Sequence, residues 1–257
     1  NRAGAGGTIG ADIVAKAPPD GYTWLVATSS SMVVNPAMQK LPYDVERDLA
    51  PVTQISTVPF ILAVHPAVQA KTVGELIQLA KSRPGKLSYA TSGIGAMSHL
   101  AMEQFKYMAG VNLVHVPFRG APAAVIGVAS GQVALALPNL PPALPAMKSG
   151  KARVIGINSL KRSSLMPEVP TVDESGMPGF ESANWNGIMA PAGTPRDLVM
   201  KLHDEIQRRV IKSELREQLI KDGYEIAGLG PDAFASFMQA ETEKWARVIK
   251  LANIKND

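Results

Sequence analysis

Runs of apolar and β-branched residues alternate along this chain with stretches whose apolar positions recur every three to four residues, the pattern of an α/β protein. After a glycine-rich opening from Gly4 to Gly10, a short helical stretch carries Ile9, Ile13 and Val14 on one side. Asp20-Gly21 turns the chain into a strand over residues 22–28, apolar on both faces and therefore expected to be buried. The polar run Thr28-Ser29-Ser30-Ser31 ends that strand as a loop. Residues 52–64 read as a long strand, interrupted by Pro59 and closed by His65-Pro66. Thr72 and Glu75 have capping-box spacing ahead of an apolar face of Leu76, Ile77, Leu79 and Ala80, and Pro84-Gly85 stops the helix. A short strand over 87–90 leads through Thr91-Ser92-Gly93-Ile94-Gly95 into a helix on which Ala101, Phe105, Met108 and Ala109 share a face, with Gly110 placed to end it.

Strands over 113–116, 133–137 and 153–157 follow, separated by helical pieces that stop at Gly131 and Gly150. Residues 159–182, with Pro167, Pro170 and Pro178, have little regular pattern; 185–190 then reads as a strand. Thr194-Pro195 has the form of an N-cap and first helical residue ahead of a stripe of Leu198, Leu202, Ile206 and Val210. A helix over 214–222 and a long one over 232–251, burying Phe234, Phe237, Met238, Trp245 and Ile249, complete the chain. If the two strand-like runs at 52–64 and 185–190 are crossovers, residues 62–186 form one lobe. Residues 1–61 and 187–257 then form the other, and a ligand is expected between the lobes.

Composition narrows the classes. Hydrophobic residues make up 46% of the 257 and charged ones 19%, which excludes intrinsic disorder. No apolar run is long enough to span a bilayer. The formal charge of +4 is carried by no basic block, so a nucleic-acid interface is disfavoured. Without cysteine there is no disulfide, thiolate nucleophile or thiolate metal site. The chain starts at Asn1 rather than Met and carries no signal-like segment, so it reads as a processed or truncated product from which any targeting peptide is already gone.

Candidate chemistry is sparse. His65, His99, His115 and His203 have no metal-ligand spacing, and there is no G-x-S-x-G elbow. His65, His115 and His203 read as structural or surface residues, whereas His99, just inside a helix behind a glycine-rich loop, could donate to an anion or cap backbone. Gly93-Ile94-Gly95-Ala96-Met97-Ser98 nearly matches a dinucleotide fingerprint, but the acid expected about 20 residues later is absent. What remains is a set of neutral donors at strand ends: Thr28 and Ser29; Thr91, Ser92 and Gly93 leading through Ala96 to Ser98; and Arg119-Gly120-Ala121, which adds one cation. A helix N-terminus behind such a loop is an anion site, since its first amides lack partners and the helix dipole favours negative charge. Thr91 and Ser98 could equally be ordinary caps. Asn139 could offer an amide to a ligand, and Trp185 could wall a cleft or serve as core; Trp24 and Trp245 read as core.

These residues resemble the Bug-type extracytoplasmic solute-binding proteins of tripartite tricarboxylate transporters. The matching segments run essentially end to end and include Asn1-Arg2-Ala3-Gly4-Ala5-Gly6-Gly7, Pro19-Asp20-Gly21-Tyr22-Thr23, Leu41-Pro42-Tyr43-Asp44, Pro84-Gly85-Lys86-Leu87-Ser88-Tyr89-Ala90, Val114-His115-Val116-Pro117-Phe118-Arg119-Gly120 and Ala190-Pro191-Ala192-Gly193-Thr194-Pro195. The resemblance implies a type II periplasmic binding protein fold, two α/β lobes joined by crossover strands. It implies a periplasmic protein that captures a small carboxylate for membrane permease subunits, without catalysis, metal or cofactor. It places ligand contacts at Thr28, Ser29, Thr91, Ser92, Gly93, Ala96, Ser98, His99, Arg119, Gly120, Ala121 and Asn139. Pro138 stands where relatives often carry an acid, which argues against recognition of an amine. Relatives usually open with a strand, a ligand loop and a helix ahead of the Asn1-Arg2 segment, so weak or absent ligand binding is expected of a chain starting at Asn1. The competing readings are an α/β enzyme acting on a nucleotide or acid, which lacks a visible nucleophile–base pair, and an effector domain of a regulator, which lacks a helix-turn-helix.

Overall fold

The computed structural model describes residues 7–254, so most of the glycine-rich opening lies outside the described residues. Two compact units are formed, residues 7–57 with 184–254, and residues 58–183. In the first, α1 (Thr8–Ala15) leads to β1 (Leu25–Thr28), and the chain passes at once into a wide-turned helix (Ser30–Val34) that continues as α2 (Asn35–Met38). After α3 (Val45–Asp48) come β2 (Leu49–Pro59) and, beyond the single residue Phe60, β3 (Ile61–Val64), the first strand of the second unit.

The second unit continues with α4 (Val73–Ser82), β4 (Ser88–Thr91), α5 (Met97–Ala109), β5 (Val114–Pro117), α6 (Ala121–Ala129), β6 (Leu135–Ala136), α7 (Leu140–Lys148) and β7 (Arg153–Ile157). The chain then returns to the first unit through β8 (Ala183–Pro191), α8 (Arg196–Ile206), α9 (Leu215–Lys221), β9 (Glu225–Leu229) and α10 (Pro231–Ala252).

Each unit has its own sheet. In the first the order is β1-β8-β2-β9, with β1 antiparallel to β8 (Leu25 opposite Met189) and β2 antiparallel to β9. In the second the order is β5-β4-β6-β3-β7, and β5, β4 and β6 run parallel to one another. β3 is antiparallel to both β6 and β7. The core of the second unit is built largely from alanine and valine, Ala90, Ala124, Val125, Val128, Ala136, Ala143 and Ala146 among them. Such small side chains let α6 and α7 lie close to the sheet. At Gly127 of α6 a Cβ would stand 2.6 Å from the Phe118 ring, so this glycine is what admits the aromatic that anchors the turn after β5.

Several elements depart from the sequence reading. In the strand over 22–28 only Leu25 and Ala27 are buried; Tyr22 and Val26 face solvent, so the strand is covered on one side only. On α1 the buried residues are Ala11 and Val14, while Ile9 and Ile13 are exposed. Thr28 to Ser31 make no loop: reciprocal bonds between the Thr28 and Ser31 backbone and hydroxyls turn the strand directly into helix. The Thr194 hydroxyl donates to the Pro191 carbonyl at 2.8 Å rather than capping α8. β9 has no counterpart in the sequence reading. The Thr72 cap is present, its hydroxyl accepting the Glu75 N–H at 3.1 Å while the Glu75 carboxylate accepts the Lys71 N–H.

Candidate functional site

In the second unit the parallel strands β5, β4 and β6 deliver three of the sequence-selected segments to the same end of one sheet, their carboxyl ends. Open α/β sheets place ligands there. Thr91 ends β4, Arg119-Gly120-Ala121 follows β5, and Asn139 follows β6. The first two are tied together: the Phe118 N–H donates to the Thr91 carbonyl at 3.0 Å and the Gly120 N–H to the Ser92 carbonyl at 3.1 Å. Gly120 has φ 96°, a left-handed conformation that costs glycine little, and it delivers the chain into α6.

The loop from Thr91 to Ala96 closes on itself. The Thr91 hydroxyl donates to the Gly93 carbonyl and accepts the Gly93 N–H, while the Ser98 hydroxyl accepts the Ser92 N–H at 3.1 Å. The Ser92 and Ser98 hydroxyls lie 3.1 Å apart, either able to donate. α5 starts after Ala96 with no side chain capping its first turn. Ser98 and Thr91 therefore bind loop backbone instead of acting as caps; the His99 N–H turns back to the Ala96 carbonyl at 2.8 Å, which leaves the Met97 and Ser98 amides as the ones a helix start offers to an anion. Arg119 is exposed at the edge of this cluster.

Beneath the loop lies a polar network whose extent the sequence did not reveal. The His99 and His115 rings stack with centroids 4.0 Å apart, and His115 also stacks on Tyr89 at 5.0 Å. His99 Nδ1 accepts the Gly95 N–H at 3.2 Å, which places the proton on Nε2, 3.9 Å from the Glu103 carboxylate. His115 Nε2 is 2.7 Å from the Thr91 hydroxyl. Glu103 also takes the Tyr89 hydroxyl and the Lys106 ammonium. Thus both imidazoles hold the loop from behind, and His115, read from sequence as a structural or surface residue, supports Thr91. The signals for this network were the four-residue spacing of His99 and Glu103 and the three-residue spacing to Lys106. The pairing of Tyr89 with His115 needed the strand register.

Burial, followed by the neighbouring His99, pushes His115 down to about 4, and burial lowers His99 as well. Burial and the Glu103 carboxylate raise the Tyr89 phenol. A histidine depressed in the folded state leaves the unfolded chain holding more protons between the two pKa values, so stability rises with pH in that window. The urea midpoint should therefore fall as pH drops from about 6.5 toward 4, and His115→Gln should flatten that dependence. An unchanged slope in the variant would remove His115 from the titration.

The remaining selected residues are engaged elsewhere. The Asn139 amide donates to the Val58 and Pro59 carbonyls at 2.7 and 3.3 Å, pinning the β2–β3 passage. In the first unit the buried Ser29 donates to Asn184 at 3.1 Å, and Thr28 pairs with Ser31. Trp185, 1% exposed, packs edge-on against Phe234 and Phe237. Among the described residues no helix is long and apolar enough to cross a membrane, and no group of three or more acidic or histidine side chains could hold a metal.

Two α/β units joined through strands define a binding-protein architecture, and comparison with known proteins makes the class specific. The model of the tripartite tricarboxylate transporter family receptor matches residues 1–254, and the chain belongs to that family. Protein BugT of Bordetella pertussis is 34% identical over 257 residues, 99% of this chain and 79% of that protein. Two solved structures are similar: R. palustris Rpa4515 with adipate, at TM-score 0.86, 34% identity and 99% and 86% coverage of the two chains, and MatC of Rhodopseudomonas palustris with bound malate, at TM-score 0.79, 31% identity and 96% and 85% coverage. The fold is that of the type II periplasmic binding proteins, as the resemblance implied.

Proposed function

We propose that this chain is a non-catalytic periplasmic receptor that captures a small carboxylate and hands it to the permease subunits of a tripartite tricarboxylate transporter. The observation that carries this reading is the Ser92–Ser98 hydroxyl pair beside the uncapped start of α5, fastened to the Gly120 turn. An ionised carboxylate accepts hydrogen bonds and has none to give, so it suits a pocket of hydroxyls and backbone amides with Arg119 at its edge. Ser92, Gly93, Ala96, Ser98, Arg119, Gly120 and Ala121 are assigned to ligand contact. Thr91 and His99 are assigned to holding that loop. The adipate and malate bound by the two relatives point to dicarboxylates as the first ligands to try.

The test is a thermal-shift panel of mono-, di- and tricarboxylates, amino acids and nucleotides on the protein at the length its gene encodes. A ligand present at a hundred times its Kd adds about 2.7 kcal/mol to the native state, which raises Tm by roughly 5–10 °C for a chain of this size. Dicarboxylates of malate or adipate size should produce that rise. A response to nucleotides alone would replace the receptor reading with the enzyme one.

A further inference from the structure

The charge of this protein is unevenly distributed. Residues 58–183 hold 11 lysines and arginines against 6 acids, a net of +5, while the rest of the chain is close to balance at −1. Part of that excess surrounds a depression of about 440 Å³ at the end of the second sheet opposite the carboxylate loop, where β4 begins and β3 ends. Three basic side chains line it from separate segments: His65 after β3, Arg83 at the end of α4, and Lys86 before β4. No carboxylate does. Arg83 and Lys86 are exposed, and neither forms an ion pair among the described residues. The His65 ring accepts the Ala67 N–H at Nδ1 and turns its Cε1–Nε2 edge toward the left-handed Gly131, and Nε2 makes no hydrogen bond among the described residues. Leu79, Leu87 and Val133 give the depression an apolar floor.

We propose that this groove is a docking surface for an acidic segment of a protein partner. The attraction between a helix C-terminus and nearby cations accounts for one basic residue in the last turn of α4, a place Lys81 already fills. It does not account for Arg83, Lys86 and His65 converging from three segments on one depression. A small anion would need buried, converging donors, because a single contact to an exposed cation is worth little in water. Exposed cations over an apolar floor instead match a chain carrying several carboxylates with an apolar residue among them, where the summed field steers encounter and sets orientation. Since the groove and the Thr91–Ser98 loop lie at opposite ends of β4, a docked partner leaves the loop uncovered on this unit.

The experiment measures binding of a synthetic peptide of alternating glutamate and leucine to the full chain by fluorescence anisotropy, at low and physiological salt. Arg83→Glu/Lys86→Glu is compared with Lys148→Glu/Lys151→Glu, which changes net charge equally on the same unit. The groove pair should weaken binding tenfold or more and the control pair less than threefold, with affinity falling as salt rises. In the unsubstituted protein, the His65 ring resonances should move on peptide addition. Equal weakening by both pairs, or an unmoved His65, would overturn the proposal. So would binding to phosphatidylglycerol vesicles without binding to the peptide, which would make the groove a lipid contact.

Discussion

Trp185→Ala should destabilise the protein by about 3–5 kcal/mol, the usual loss for emptying a buried aromatic site. The indole is the largest fully buried side chain of the first unit's central strand and meets Phe234 and Phe237 of α10 at interplanar angles of 89° and 76°. Room for Phe234 beside it exists because Gly187 stands two residues along β8, where a Cβ would come within 2.5 Å of that ring and 2.8 Å of the Thr53 carbonyl. The site therefore has little freedom to collapse around an alanine. Urea unfolding followed by circular dichroism measures the loss; a change below about 1 kcal/mol would mean that the indole is not a core anchor. Trp185→Phe refines the point, because Nε1 has no hydrogen-bond partner among the described residues. Phenylalanine keeps an aromatic against Phe234 but removes the pyrrole ring together with that N–H, so part of the packing is lost as well. If the variant loses stability and keeps carboxylate affinity, Trp185 serves packing alone; a loss of affinity in a variant that stays folded would give the indole a part in binding.

The second large effect is on binding. Ser92→Phe should abolish carboxylate binding, reducing affinity at least a hundredfold, while Ser92→Ala should reduce it roughly tenfold or more, in line with about 1.5–3 kcal/mol for a hydrogen bond to a charged group. The two substitutions separate space from chemistry. Phenylalanine fills the room beside the Ser98 hydroxyl, whereas alanine removes one donor and leaves the Ser92 N–H bonded to Ser98 and the Ser92 carbonyl bonded to Gly120. Isothermal titration with a dicarboxylate reads both, and circular dichroism confirms that the second unit stays folded. Wild-type affinity in Ser92→Phe would take this loop out of the ligand pocket.

How far these features could be read from the residues differs by element. The capped α4 and the stop of α5 at Gly110 were plain, because capping chemistry and apolar spacing agree there. β9 was missed because Glu225-Ile226-Ala227-Gly228-Leu229 is short, includes a glycine, and pairs as an edge strand through a bulge on β2; little in it favours strand until β2 supplies a partner. The strand at Tyr22 to Thr28 looked buried on both faces because every other signal in it was apolar; which face is covered depends on the neighbours, and Val26 is 69% exposed. At the candidate site, glycine and hydroxyl placement at strand ends identified the loops. The support beneath them stayed hidden because Tyr89, His99, Glu103 and His115 come together only when β4 and β5 are set in register. Asn139 shows what residue type alone leaves out: its Nδ2 is given to the Val58 and Pro59 carbonyls, a use that only the fold reveals.

The path of the chain through β2, β3 and β8 bears on how the molecule is assembled. Everything the second unit packs lies in one unbroken stretch, so a growing polypeptide can complete it before residue 184 exists. The first unit has no such freedom, since Leu25 must wait for Met189 and Gln54 for Leu229, pairings that span most of the polypeptide. Contacts so distant in sequence carry a large entropic cost of closure and are slow to form. Until the carboxyl-terminal segment emerges, β1 and β2 are unpaired edges, and this is the interval in which a nascent chain is most exposed to aggregation.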